Sequence, residues 1–217
     1  MAGALIIGAG PGIGRSVARR FARAGLPVAV VARSPETVEA TARAVEADGG
    51  TALALAADST DEEALRATLD SAVKAHGAPE VLVYNAANIR RDVVGELTTA
   101  EHLQAWAVNV VGAVTAAGHV GPQMVGNGGG TIILTGGMPE PVPQLVSLSL
   151  GKAGIRALAT ILDKQLGPDG VHVATVTVCD AVEPGGPYDP DLIAERYWQI
   201  HAQPAGRWER EILFQGA

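Results

Sequence analysis

The 217-residue chain has a single cysteine, Cys179, so no disulfide can close within it. The start Ala4-Leu5-Ile6-Ile7 lacks the basic leader and the length of a secretion signal, and the two absences together predict a reducing, cytoplasmic address. Positive charge is in short supply: Lys+Arg 16 against Asp+Glu 23 gives a net charge of -7, and no basic field exists to gather nucleic acid or an anionic membrane. No apolar run approaches the roughly 20 residues of a membrane helix, because Gly, Pro or a charge interrupts each one. Aromatics are few, with Trp 3, Tyr 3 and Phe 2, so the core must come from Ala, Val, Leu and Ile. What the chain has in quantity is small and aliphatic: hydrophobic residues make up 47% and Gly numbers 27, a composition suited to helices packed closely on a sheet.

Short β-branched runs alternate with longer helical patterns along the whole chain, which predicts one α/β domain over residues 1–217, a doubly wound parallel sheet of Rossmann type. Ala4 to Gly8 reads as the first strand and Gly12 to Ala24 as the first helix. Val28 to Ala32 follows as a strand apolar on both faces, then a helix capped by Ser34 with Pro35 at its first position. Ala52 to Ala57 and Val81 to Tyr84 are the next strands, separated by a helix with Thr60 and Glu63 as a capping box. Thr98 and Glu101 repeat that device for a long helix running past Asn109 toward Val120. Thr131 to Thr135 is the fifth strand, Ser147 to Leu166 a helix, and Val171 to Val178 the sixth strand. Asp189-Pro190 opens a short helix through His201, and Trp208 to Phe214 reads as a closing edge strand.

Between the first strand and first helix lies Gly8-Ala9-Gly10-Pro11-Gly12-Ile13-Gly14, a tight turn that brings bare amides to a helix N-terminus and so makes a cradle for phosphate. Gly8, Gly12 and Gly14 in GxxxGxG spacing resemble the cofactor loop of the short-chain dehydrogenase/reductase family. Other positions agree in order and spacing over about residues 4 to 178. Asp58 matches the family's adenine-contacting Asp, Asn85-Ala86-Ala87 its Asn-Ala-Gly motif, Asn109 its structural and catalytic Asn, and Lys152 the lysine of its Tyr-x-x-x-Lys pair. The resemblance implies a dinucleotide cofactor bound by Gly8, Gly10, Gly12, Ile13, Gly14, Asp58, Asn85, Ala86, Ala87 and Lys152, and a homodimer or homotetramer. The second strand ends in Ala32-Arg33 where an acid would accept from the ribose 2′-hydroxyl. A guanidinium without that carboxylate suits a 2′-phosphate, so NADP(H) is expected over NAD(H).

The catalytic half departs from the family. Four residues before Lys152, where the proton-donating Tyr should stand, is Leu148, and the substrate-binding Ser is replaced by Gly137. The Pro-Gly that usually follows the sixth strand is replaced by Val178-Cys179, with Asp180 next. Three readings compete. The chain is an oxidoreductase for a small carbonyl or alcohol, with Lys152 and Asn109 retained as catalytic residues and a proton donor of another kind. Ser149, Thr135, Cys179, Asp180 and Tyr188 are the groups to test for that role. Alternatively it is a catalytically inactive NADP(H)-binding sensor or partner subunit, in which Lys152 serves the nicotinamide ribose. A lyase or isomerase ranks last, since no dedicated acid/base pair is present. His76, His102, His119, His172 and His201 show no ligand spacing and no metal site is expected.

Overall fold

The computed structural model describes residues 3–217. Its strands are β1 (Ala4–Ile7), β2 (Val28–Ala32), β3 (Ala52–Ala56), β4 (Val81–Tyr84), β5 (Gly130–Gly137), β6 (Val171–Val178) and β7 (Glu211–Phe214). They form one sheet in the order β3-β2-β1-β4-β5-β6-β7, and every neighbouring pair is parallel. This is the Rossmann arrangement expected from the alternating pattern. The chain winds outward from β1 to β3 and then resumes on the other side of β1, which opens a crevice at the C-terminal ends of β1 and β4.

The helices are α1 (Ile13–Arg23), α2 (Pro35–Ala47), α3 (Glu62–His76), α4 (Thr99–Trp106), α5 (Gly112–Gly126), α6 (Val146–Leu166) and α7 (Pro190–His201). Because alternate residues of a strand face opposite sides, the sheet feeds two cores. Ile6, Val30, Val83 and Ile133 meet Val17 and Phe21 of α1, Val38 of α2, and Ile193 and Tyr197 of α7. Leu5, Val31, Leu82 and Leu134 meet Leu65 and Leu69 of α3, Ala113 and Ala117 of α5, and Ile155 and Leu162 of α6. The few aromatics sit where small residues leave room, Phe21, Tyr84, Tyr197 and Phe214 being almost wholly buried.

Ser34, Thr98 with Glu101, and Asp189 with Pro190 start their helices as the sequence predicts. The α3 start differs. Asp58 Oδ1 accepts from both Thr60 N and Thr60 Oγ1 at 2.9 and 2.8 Å, so Thr60 is consumed in a turn, and Asp61 caps the helix by accepting from Ala64 N at 3.0 Å. β5 runs two residues past its expected end, because Gly136 and Gly137 continue the ladder to Thr177 and Val178. The closing strand is shorter than expected. Trp208 stands outside it, stacked flat on His172 with ring centroids 5.0 Å apart, and its Nε1 donates to Gln203 O at 3.2 Å.

The long helix through Asn109 is not uniform. A π-helical segment, Ala107–Val111, joins α4 to α5. The wider turn disturbs the usual carbonyl pairing, and Tyr84 Oη at the end of β4 donates to Val108 O at 2.6 Å. Gly112 makes the approach possible, since a Cβ there would lie 2.3 Å from that hydroxyl.

Candidate cofactor and active site

The glycine turn is anchored through its carbonyls. Gly8 O accepts from Asn85 Nδ2 at 2.8 Å, Ala9 O from the buried Thr41 Oγ1 at 2.8 Å, and Gly10 O from Arg15 N at 2.9 Å. The amides of Gly8 and Ala9 donate to Val31 O at 2.8 and 3.0 Å, fixing the turn to β2. With the acceptors turned into the protein, the turn presents donors to the crevice. No side chain caps α1 and no acid stands in its first turn, so the positive end of the helix is uncovered among the described residues.

The glycines divide into two kinds. Gly8 has φ +87, and a Cβ on it would lie 2.3 Å from Ala86 N; a Cβ on Gly14 would lie 2.2 Å from Gly8 O. Those two are required by the packing of α1 against β1 and β4. Gly10 and Gly12 are different, because a Cβ on either would meet nothing within 4 Å. The fold leaves their backbone bare toward open space. Arg33 is exposed just past β2, and Asp58 half-buried past β3, at the rim where an adenosine moiety would lie. Asn85, Ala86 and Ala87 follow β4 directly, with Asn85 N held by Ile7 O at 2.7 Å.

On the other side of the crevice Lys152 is buried, and its Nζ donates to Thr135 O at 2.7 Å. Burial, with the neighbouring Arg156 adding repulsion, pulls its ammonium down to about 8. One acceptor leaves two N–H donors of the ammonium unmet, enough for a ribose hydroxyl of a nicotinamide nucleotide and one further acceptor. Asn109 is 2% exposed; its Oδ1 accepts from Asn88 N at 2.7 Å, and its Nδ2 has no partner among the described residues. Gly151 lets it sit there, since a Cβ on Gly151 would lie 2.6 Å from the Asn109 Cβ. The sequence-predicted cluster is therefore brought together around the ends of β1, β4 and β5.

The two replaced positions also fall where the motifs place them. Gly137 is the last residue of β5, and a Cβ on it would point to Lys152 Cε at 3.5 Å, ordinary contact distance. Leu148 is buried one turn before Lys152 on α6. Of the substitutes, the Ser149 and Thr135 hydroxyls are bonded elsewhere. Ser149 Oγ accepts from Val142 N at 3.0 Å and ties down the Pro139 to Pro143 loop. Thr135 Oγ1 donates to Asn85 Oδ1 at 2.9 Å. Cys179 has its thiol pushed up by burial and Tyr188 its phenol likewise, and the Tyr188 ring lies edge-on to Phe214 at 5.6 Å. Asp180 is exposed and accepts from Ala181 N at 2.7 Å.

Three residues at the site escaped the sequence reading. Tyr197 on α7 is fully buried and its Oη lies 2.7 Å from Thr135 Oγ1. Thr135 has one hydroxyl proton, already given to Asn85, so Tyr197 donates; the bonds run Tyr197 to Thr135 to Asn85 to Gly8 O. Arg156 Nη1 donates to Gly137 O and Met138 O, both at 3.3 Å, and holds a bend where Met138 takes φ 48, rare for a side chain with a Cβ. Asp92, 1% exposed, accepts from Ser147 N and Ser147 Oγ at 2.9 and 2.8 Å and so fixes the start of α6. A partial signal existed for Arg156 in its i, i+4 spacing from Lys152. Tyr197 and Asp92 act across 62 and 55 residues of sequence and left none.

Among the described residues no group of His, Cys, Asp and Glu could hold a metal, and no helix is long and apolar enough to cross a membrane. A family model described as short chain dehydrogenase matches residues 2–183. The relatives include "Probable galactose dehydrogenase GalD" of Rhizobium meliloti, 34% identical with 97% of this chain and 80% of that one covered. D-threitol dehydrogenase of Mycolicibacterium smegmatis is 29% identical, with 80% and 68% covered. Among solved structures, a short-chain dehydrogenase from Rhodopseudomonas palustris matches with TM-score 0.90 at 27% identity, covering 100% of this chain and 99% of that one. A metagenomic short-chain oxidoreductase in complex with NADP matches with TM-score 0.88 at 26% identity, covering 98% and 96%.

Proposed function

The chain belongs to the short-chain dehydrogenase family, and from that premise we propose that it is an oxidoreductase that binds NADP(H) in the crevice and acts on a small carbonyl or alcohol. The observation that carries the cofactor half is the division of the glycines: two are demanded by packing, and Gly10 and Gly12 are bare toward empty space at an uncapped helix end. Bound there, the dinucleotide would supply or accept the hydride. The amides of Gly10, Gly12, Ile13 and Gly14 hold the pyrophosphate. Arg33 pairs with the 2′-phosphate, and the free oxygen of Asp58 receives the adenine. Asn85, Ala86 and Ala87 line the path from adenosine to nicotinamide, and Lys152 binds the nicotinamide ribose beside Asn109, which orders the loop after β4. The relatives named for polyol and sugar oxidation support a hydroxylated substrate class.

A fluorescence titration with NADPH and, in parallel, NADH tests the reading. NADPH is expected to bind at least tenfold tighter. Failure of both to bind would reduce the glycine turn to a packing motif and remove the oxidoreductase assignment. A second reading draws on Leu148 and Gly137: with neither hydroxyl present, the chain binds NADP(H) as a sensor or partner subunit without turnover. NADPH consumption with a panel of ketones, aldehydes and quinones separates the two.

A further inference from the structure

A carbonyl that accepts a hydride must also gain a proton, and the hydroxyls nearest Lys152, those of Ser149, Thr135 and Tyr197, are bonded elsewhere. Ser149 is bonded to Val142, Thr135 to Asn85, and Tyr197 to Thr135; Tyr188 is packed on Phe214 and Asp180 is turned to Ala181 N. Lys152 stands apart. Its ammonium has one protein acceptor, Thr135 O, and two N–H bonds left over. The position that would carry the family's serine is Gly137, so nothing projects from the end of β5 into the space beside Lys152 Cε, and Leu148 offers only methyl groups.

Resting on the reductase reading above, we propose that Lys152 is itself the proton donor to the substrate oxygen. As the carbonyl carbon takes a hydride from the reduced dinucleotide, the C=O π pair takes a proton from Lys152 Nζ. An O–H bond forms, an N–H bond breaks, the carbonyl becomes an alcohol and the dinucleotide is oxidised. The neutral amine that remains is favoured by its burial and recovers a proton from solvent. In alcohol oxidation the same amine accepts the proton. The depression of its ammonium to about 8 by burial brings it near the range in which an acid is effective at neutral pH. Arg156, on the same helix, is the charged group that bears on it. The groups from other elements that meet its side chain or lie beside it are neutral: Thr135 and Gly137 from β5 and Val178 from β6.

The chain has only three lysines, Lys74, Lys152 and Lys164, so the full-length protein labelled with 13C-lysine gives a spectrum simple enough to titrate. One Cε signal, absent in Lys152→Arg, is expected to titrate near 8 without cofactor or substrate. NADPH-driven reduction of 4-nitrobenzaldehyde or 9,10-phenanthrenequinone is expected to fall with rising pH at a midpoint that follows this signal. Arg156→Gln, by removing a positive neighbour, should move both midpoints to higher pH together. Lys152→Arg keeps the charge and the donors but cannot release a proton, so NADPH affinity should stay within about threefold while kcat drops about hundredfold or more. A kcat in Lys152→Arg within threefold of wild type, or a pH limb that ignores Arg156→Gln while the lysine signal moves, overturns the proposal. So does absence of turnover with NADPH binding intact, which favours the sensor reading. Absence of NADPH binding overturns the cofactor reading beneath it.

Discussion

The two sides of the crevice have been treated differently by the sequence. On the β1 side every part of the cradle is present and tied down: carbonyls are satisfied by Asn85, Thr41 and Arg15 N, and the bare glycines face open space. On the β5 side the scaffold is equally complete, with a π segment that seats Asn109, a Gly151 that admits it and an Asp92 that starts α6. Yet Gly137 and Leu148, the positions where the resemblance leads one to expect two hydroxyls, carry none. The contrast separates holding a cofactor from moving a proton, since the first needs backbone shape and the second needs one group with the right acidity.

The largest effect that would break this contrast lies within the cradle itself. Gly8→Ala places a methyl 2.3 Å from Ala86 N at a φ of +87, where neither backbone can yield, and is expected to cost about 3 kcal/mol or more in urea unfolding. Gly10→Ala meets nothing within 4 Å, so stability should stay within about 0.5 kcal/mol while NADPH affinity falls at least tenfold. If Gly10→Ala left binding untouched, the open space would not be the phosphate site, and the β1 side would be no more functional than the β5 side.

The β5 side is sharpened by a change of opposite sign. The buried ammonium of Lys152 titrates near 8 in the folded protein against an ordinary 10.5. Below pH 8 both the folded and unfolded chains hold the proton and the burial penalty is fully present; between 8 and 10.5 the unfolded chain binds a proton that the folded one does not, so stability rises with pH through that window. Lys152→Met removes the penalty. The variant is expected to be about 2 kcal/mol more stable than the parent at pH 7, with the rise between those pH values gone and turnover lost. A destabilised Lys152→Met would mean that the bond to Thr135 O outweighs the cost of the charge.

How much of this could be read in advance follows from the range of each interaction. The doubly wound parallel sheet and the glycine turn were legible because periodicity, capping and turn residues mark them, whereas Asn85, Asn109 and Lys152 were legible only through their resemblance to the family's motifs. The α3 cap was misplaced for a local reason: Thr60 has the right residue type and spacing, but Asp58 reaches it first. The π segment around Asn109 is met by Tyr84 and admitted by Gly112, which lie in different elements and become neighbours only in the fold. Tyr197 and Asp92 belong to the same class. Each acts on backbone or hydroxyl groups remote in sequence, so spacing holds no trace of what they touch.

Cofactor selectivity tests the β1 side at its rim rather than its centre. Arg33 is exposed, so the pairing proposed for it with a 2′-phosphate would be weakened by solvent. A charge-assisted contact of that kind is still worth about 1.5 kcal/mol, and Arg33→Ala should weaken NADPH about tenfold while NADH is unchanged, as read by fluorescence titration. An equal loss for both would assign Arg33 to general attraction for phosphate and leave the preference to another group.

The smallest effect joins the two sides. Tyr197 donates to Thr135, whose carbonyl holds Lys152 and whose hydroxyl holds Asn85, so one buried phenol touches the proton side and the cofactor side at once. Tyr197→Phe removes one hydrogen bond and leaves no donor stranded, because Thr135 keeps its own acceptor in Asn85. Loss of about 1 kcal/mol in unfolding free energy is expected, with NADPH affinity changed less than threefold. A drop in affinity larger than the drop in stability would show that the turn at Gly8 is held in shape from α7 through Thr135 and Asn85. The cradle and the proton side would then be one hydrogen-bonded unit.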